Sequence, residues 1–287
     1  MSYQKRLIHA FQNAPILPIT THTKYVFFSD CHRGSGNNND NFLKNENSYF
    51  AALQYYYQNN FCYIETGDGD ELWENKTLNE ICEIHNNIFS LLQCFQNIGH
   101  FYMLYGNHDM EKKHLPPLWD CASVYEGLIL KANTSTPIPD LYVTHGHQAD
   151  FLNSTLWKLA RFLVRYLWSP LEYFGLTDPT SAAKNNTKRK KIEKRLIHFT
   201  KSQNCLLLAG HTHRPTLGSY HSCYFNCGSC VHPKGITCIE LCGFQMNLIK
   251  WYSCTEKSNH FGTLYHYYPP TFPVYIKREV LATKSLI

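Results

Sequence analysis

The chain has 287 residues, 44 % of them hydrophobic and 17 % charged, with no Pro/Gly/Ser-rich linker, so residues 1–287 read as one large globular domain. No stretch reaches the about 18 uninterrupted apolar residues of a membrane span. Met1–Thr20 lacks the apolar run of a signal peptide, so a cytoplasmic protein is expected. The net charge of +5 is modest, but Lys184, Lys188, Arg189, Lys190, Lys191, Lys194, Arg195 and Lys201 fall in one short segment, which points to an anionic substrate or surface there.

In chain order, apolar runs rich in β-branched or aromatic residues occur at Tyr25–Ser29, Cys62–Thr66, Phe101–Tyr105, Leu141–Thr144 and Cys205–Ala209. Each gives way to Gly, Asp, Asn or His, the pattern of a buried strand opening into a polar loop. Asn47–Gln58 and Leu78–Asn97 are compatible with helices, so the first part of the chain alternates strand and helix. From Phe151 to Phe174, Ser154, Lys158, Arg161 and Arg165 recur at helical spacing, while Leu152, Leu156, Leu159, Leu163 and Leu167 form another face. This reads as a basic amphipathic helix, and with the charged segment Lys184–Lys201 it makes 151–203 a helical insertion. Strand-like runs at Ser219–Asn226, Ile236–Leu241 and Phe244–Ser253 give a β-rich end, and the residues from Lys277 onward are expected to be loosely held. The twelve cysteines are scattered and read as free thiols. Cys223, Cys227 and Cys230 are closely spaced, but no fourth partner sits at zinc-site spacing.

The chemistry collects where strands end: SDCHRG at 29–34, TGDGDE at 66–71, YGNHDM at 105–110, THGHQAD at 144–150 and AGHTHRP at 209–215. In open α/β sheets ligands bind beyond the carboxyl ends of strands, so these loops point to one site. Their mixed oxygen and imidazole side chains suit Mn²⁺, Fe²⁺ or Zn²⁺, whereas a thiolate set would indicate structural zinc. Asp30, Asp68, Asn107 and His145 follow at steps of 38, 39 and 38 residues, and His211 comes 66 later. The long last step has room for an inserted helical hairpin that caps the site.

The ordered set D-x-H, G-D, G-N-H-D, H and G-H-x-H over residues 24–215 resembles the calcineurin-like metallophosphoesterase superfamily. That resemblance implies a β-sandwich of two mixed sheets flanked by helices, and two divalent metal ions. Mn²⁺ is the first expectation, with Fe²⁺, Zn²⁺ and Mg²⁺ also fitting. It implies Asp30, His32 and His213 on one metal, Asn107, His145 and His211 on the other, and Asp68 bridging both. His108 would protonate the leaving oxygen with Asp109 orienting it, and a metal-activated water would attack phosphorus in line.

The extension GDGDELWE, the form HGHQAD with Asp150, and the helical insertion are similar to the UDP-2,3-diacylglucosamine pyrophosphatase branch, although better-known members carry Arg where this chain has His108. The resemblance implies a UDP-acylated sugar or nucleotide-diphospho lipid as substrate. Arg33, Asp70, Glu71, Asp150, Lys158, Arg161, Arg165 and Lys188 are the expected substrate contacts. Helix 151–171 is read either as a lid or peripheral membrane contact, or as a plain surface helix packed on the core. The alternatives are a nuclease or phosphodiesterase, with Lys184–Lys201 on a nucleic-acid backbone, and a protein phosphatase. A non-catalytic binding module is disfavoured because all seven ligand positions are filled, and no stable protein partner is inferred.

Overall fold

The computed structural model describes residues 1–37, 39–119, 122–132, 138–168, 182–219, 221–255 and 274–287. A seven-stranded sheet has the order β12-β11-β10-β2-β3-β4-β5, and a five-stranded sheet the order β1-β6-β7-β8-β9. In the larger sheet, β2 (Lys24–Phe28), β3 (Cys62–Thr66), β4 (Phe101–Leu104) and β5 (Val124–Tyr125) run parallel. β10 (Ile236–Cys242), β11 (Gln245–Thr255) and β12 (Val274–Ser285) extend it antiparallel. The smaller sheet joins β1 (Ile16–Ile19), β6 (Gly127–Ala132), β7 (Leu141–Thr144), β8 (Leu206–Ala209) and β9 (Tyr224–Asn226), with only β6 and β7 antiparallel. Both sheets are mixed, as the α/β sandwich expectation requires.

Side-chain alternation along each strand builds the layers. Phe27, Ile64 and Leu104 meet Leu128, Val143 and Leu208 between the two sheets. On the opposite face of the larger sheet, Val26, Phe28 and Tyr63 pack beneath α2 (Glu46–Gln58) and α4 (Asn86–Asn97). Outside the smaller sheet, Leu207 and Ala209 pack under α1 (Tyr3–Ala10) and α7 (Asn186–Gln203), whose Ile192, Leu196 and Phe199 are buried. Each such Leu, Ile or Phe contributes about 1.5–3 kcal/mol by leaving water.

The helix expected over 78–97 is two helices, α3 (Leu78–Ile84) and α4, separated by His85. Its imidazole is turned inward, with Nδ1 2.8 Å from Glu46 Oε1 and Nε2 3.1 Å from both Asp40 Oδ2 and the Gly34 carbonyl. Burial lowers its pKa, but the bonds to Asp40 and Glu46 outweigh that and the net shift is upward. Because the folded pKa lies above the unfolded one, this stabilisation is fully present below about pH 6.5 and is lost as pH rises through the folded value. His85→Phe is therefore expected to cost about 2–3 kcal/mol at pH 6 and measurably less at pH 9, read from denaturant melts. An equal cost at both pH values would overturn this.

Four further expectations change. Between β4 and β7 the described chain has a 3-10 turn, Met110–His114, and strands β5 and β6 in place of a helix. The tail from Lys277 is part of β12 and is paired along β11. The amphipathic helix is broken into α5 (Phe151–Thr155), α6 (Trp157–Leu163) and a π turn at Val164–Trp168, with its expected end at 169–171 outside the described residues. The strand expected from Ser219 is confined to Tyr224–Asn226, and Tyr220 also lies outside the described residues.

Candidate metal centre

The loops after β2, β3 and β4 in one sheet and after β7 and β8 in the other converge at one rim of the sandwich. Asp30 N–H donates to the Gly67 carbonyl at 3.1 Å, His32 N–H to that of Asp68 at 3.0 Å, and Gly210 N–H to that of His145 at 2.9 Å. Five of the seven candidate ligands are held at positive φ: Asp30 54°, His32 47°, Asp68 52°, His211 63° and His213 53°. Non-glycine residues there carry on the order of 1–3 kcal/mol of strain each, which the surrounding backbone bonds must overcome. Gly106 and Gly210 mark close approaches, since a Cβ at the first would collide with the Asp68 carboxylate and one at the second with Ser29 Oγ.

Asp30, His32 and His213 present ligand atoms within 4.8 Å of one another, and so do Asp68, His145 and His211. His32 Nε2 lies 3.9 Å from Asp68 Oδ2 and His145 Nε2 lies 3.9 Å from Asp30 Oδ1, so the two groups abut with Asp68 between them. Asp30 Oδ1, His145 Nε2, His211 Nε2 and both amide atoms of Asn107 are buried without a hydrogen-bond partner. Yet His145 Nε2 is 3.0 Å from Asp68 Oδ2, and His213 Nε2 is 3.0 Å from Asp30 Oδ1. Close atoms that do not hydrogen-bond are aimed at shared points rather than at each other, and buried polar atoms normally have partners. The donor set therefore fits divalent cations.

Surrounding groups orient these ligands. His145 Nδ1 lies 3.0 Å from the Thr66 carbonyl and His32 Nδ1 2.8 Å from Glu71 Oε2, and a proton on each Nδ1 leaves Nε2 with its lone pair toward the centre. Asp30 Oδ2 accepts from Ser29 Oγ at 2.7 Å and His211 N–H at 2.9 Å. Burial raises the Asp30 and Asp68 carboxyls, but facing imidazoles outweigh it and hold both well below the usual range. Burial lowers His145, yet Asp68 and Asp30 push it up to about 9. His211 is lowered, chiefly by burial.

His108 follows Asn107 and opens onto the cavity, with its backbone N–H donating to Asp68 Oδ1 at 2.8 Å. Its imidazole pairs with Glu71, Nδ1 to Oε1 at 2.8 Å, and stacks on Trp73 with ring centroids 4.1 Å apart. Asp109, the expected orienting group, turns its carboxylate away to accept the N–H groups of Gly106, Asp68 and Gly69 at 2.7, 3.2 and 3.0 Å. Glu71, expected at the substrate, lines the cavity and spans His32 and His108. Burial raises its carboxyl, but His108 and His32 outweigh that and bring it down to about 2.

The remaining expected substrate contacts are engaged by other groups of the protein. Arg33 and Asp70 are fully buried and bonded to each other at 2.7 Å, with Arg33 also on Glu65 at 2.8 Å. Asp150 caps α5, pairs with Lys188 of α7 at 2.8 Å and lies 3.5 Å from His211 Nε2, beside the centre. Lys158 lies over the Trp157 ring and Arg161 pairs with Glu111. Arg165 donates to the carbonyls of Trp73, Leu72 and Asn75 at 2.7, 2.8 and 2.8 Å, tying the π turn to the loop that carries Glu71. Of the cysteine trio, Cys227 and Cys230 are buried and Cys223 exposed, and the metal-capable groups among the described residues contain none of them.

Two abutting groups of carboxylate and imidazole, with a histidine at the open side, define a metal-dependent phosphoester hydrolase. The sequence profile of calcineurin-like phosphoesterases matches residues 23–215, more than half of the chain, and the chain belongs to that family, whose members carry a dinuclear metal centre. Among solved structures it is similar to the cold-active protein-tyrosine phosphatase of a psychrophile, Shewanella sp., at 15 % identity, covering 83 % of this chain and 80 % of that one with a TM-score of 0.41. A second structure of a cold-active protein tyrosine phosphatase, at 1.1 Å, matches at 14 % identity and TM-score 0.41 over 83 % and 79 % of the two chains. Likeness at this level carries nothing about substrate. No curated protein matches the sequence.

Proposed function

We propose that the chain hydrolyses a pyrophosphate bond in a nucleotide-diphospho lipid or UDP-acylated sugar, using two divalent cations, Mn²⁺ first among them. The observation that carries this reading is a cavity of about 1030 Å³ that begins at Asp68, Asn107 and His108 and runs on past Lys184, Arg189, Arg214 and Lys250. Its lining also includes the apolar side chains of Trp73, Val164, Trp168 and Val231. Cations beyond the metals suit a second phosphate, since ionic hydrogen bonds to phosphate are strong, and the apolar lining suits an acyl or sugar-lipid group. A simple phosphomonoester would leave most of this space unused.

Asp30, His32 and His213 would hold one cation, Asn107, His145 and His211 the other, and Asp68 both. The cations supply Lewis-acid activation of water and neutralise charge on the phosphoryl group. His108, oriented by Glu71 and Trp73, gives a proton to the bridging oxygen as its bond to phosphorus breaks, so water adds across the link and two monophosphates leave. The insertion 151–203 acts as the lid, because Ala160 and Val164 pack on Trp73 beside His108. A second reading adds peripheral membrane contact, favoured by Phe151, Phe162 and Tyr166 at 52 %, 58 % and 66 % exposure on the insertion. No helix among the described residues is long and apolar enough to cross a membrane.

The test is a Mn²⁺-reconstituted panel of a UDP-linked acylated sugar, bis-p-nitrophenyl phosphate, p-nitrophenyl phosphate and DNA. Release of a nucleoside monophosphate from the first at the highest kcat/KM is expected. Preference for DNA with steep salt dependence would establish the nuclease reading, and reaction with simple esters alone would remove the pyrophosphate assignment.

A further inference from the structure

Behind the candidate ligands lies a second acidic cluster. Glu65, Asp70 and Asp109 bring carboxylate oxygens within 4.8 Å of one another, and all three are fully buried. The seat they form is filled from within the chain: Lys112 Nζ lies 2.6 Å from Asp70 Oδ2, 2.8 Å from Asp109 Oδ2 and 3.4 Å from Glu65 Oε1. Lys112 is itself only 4 % exposed. The Arg33 guanidinium closes the other side against Asp70 and Glu65. Two cations thus face three carboxylates in the interior.

Stability alone is a poor reason for such a network, because desolvating a buried ion costs several kcal/mol and apolar replacements of buried ion pairs are often neutral. What an apolar side chain cannot do is hold Asp109. That carboxylate accepts N–H groups from Gly106 in the loop of Asn107 and His108, and from Asp68 and Gly69 in the loop of the shared carboxylate. It is a tie between the two loops, and Lys112, one turn further along the same 3-10 segment, is its counter-ion.

We propose that Lys112 is a tethered cation that, through Asp109, positions Asp68 between the two metal ions. The inference rests on the metal-centre reading above and assigns Lys112 no contact with substrate. It makes a prediction opposite in sign to plain electrostatics. Removing the ammonium adds one net negative charge beside the centre, which by field strength alone tightens cation binding. Loss of positioning weakens it.

The experiment titrates Mn²⁺ into metal-free wild type, Lys112→Met and Lys112→Met/Asp70→Asn, with calorimetry for affinity and electron paramagnetic resonance for coupling between the two ions. The double variant restores the net charge of the cluster and keeps the protein testable if the single variant fails to fold, but it leaves Asp109 without its counter-ion. Wild type is expected to bind two coupled ions. Both variants are expected to bind at least one ion tenfold or more weakly and to lose the coupling signal. Wild-type affinity and coupling in either folded variant, whatever its melting temperature, would overturn the role of Lys112 alone. A wild-type chain that binds no Mn²⁺ would remove the metal reading and this inference together.

Discussion

Asp68→Asn is expected to reduce turnover on the best substrate on the order of a thousandfold or more, the scale seen when a preorganised electrostatic group is lost. The substitution keeps shape and size, and the side-chain oxygen can still accept the His108 N–H that Asp68 Oδ1 accepts at 2.8 Å. What changes is the other oxygen, Oδ2, which lies 3.0 Å from His145 Nε2 and 3.9 Å from His32 Nε2. A carboxamide there carries no charge to share between two cations and can present N–H groups to imidazoles that need to offer lone pairs. Mn²⁺ stoichiometry measured by calorimetry should fall below two per chain while the circular dichroism spectrum is unchanged. A folded variant with two bound ions and near-normal turnover would show that Asp68 is not the shared ligand.

The second large effect falls on His108. His108→Ala is expected to lower kcat by about 10²–10⁴-fold, the usual contribution of a general acid. The loss should depend on the leaving group. An alkoxide leaves poorly without a proton, whereas p-nitrophenolate, already a weak base, needs little help. Comparing the variant on a p-nitrophenyl ester and on an alkyl ester of the same phosphate separates proton donation from simple phosphate binding, since loss of a binding contact would penalise both alike. Equal losses on the two would assign His108 to binding. Metal affinity should stay near wild type, because the imidazole is directed by Glu71 and Trp73 while only its backbone touches Asp68.

Much of this centre can be read from the sequence because its candidate ligands sit at strand ends, where an apolar run stops abruptly at Asp, Asn or His. The same logic recovers β2, β3, β4, β7 and β8 within about a residue. It fails where short-range reasoning replaces folded proximity. Asp109 adjoins His108 in sequence and invites pairing with it, but the tight turn at Gly106 turns the Asp109 carboxylate back under the Asp68 loop. Glu71 reaches His108 from the neighbouring loop, a pairing that only the parallel register of β3 and β4 creates. Arg33 and Asp70 look like exposed substrate groups, and only the fold shows that they neutralise each other inside.

Edge strands were the other loss. In β12, Lys277, Arg278 and Glu279 interrupt the apolar pattern because the strand lies at the rim of its sheet, where water replaces a second layer. The positive φ angles at Asp30, His32, Asp68, His211 and His213 leave no trace either, since none of these positions is glycine. The segment from Phe151 has the periodicity of one helix, but three pieces form over Phe151–Trp168, and nothing in the structure explains the break at Leu156.

The larger sheet contributes Asp30, His32, Asp68 and Asn107, and the smaller contributes His145, His211 and His213, so neither sheet carries a complete ligand group. The centre is in effect a gauge of how the two layers are registered. Phe27, Ile64 and Leu104 against Leu128, Val143 and Leu208 set that registration well away from the chemistry. A repacking that slides one layer by a fraction of an ångström can leave every strand intact and still spoil the fit of both ions. Substitutions at the seam are therefore expected to cost cation affinity before they cost stability.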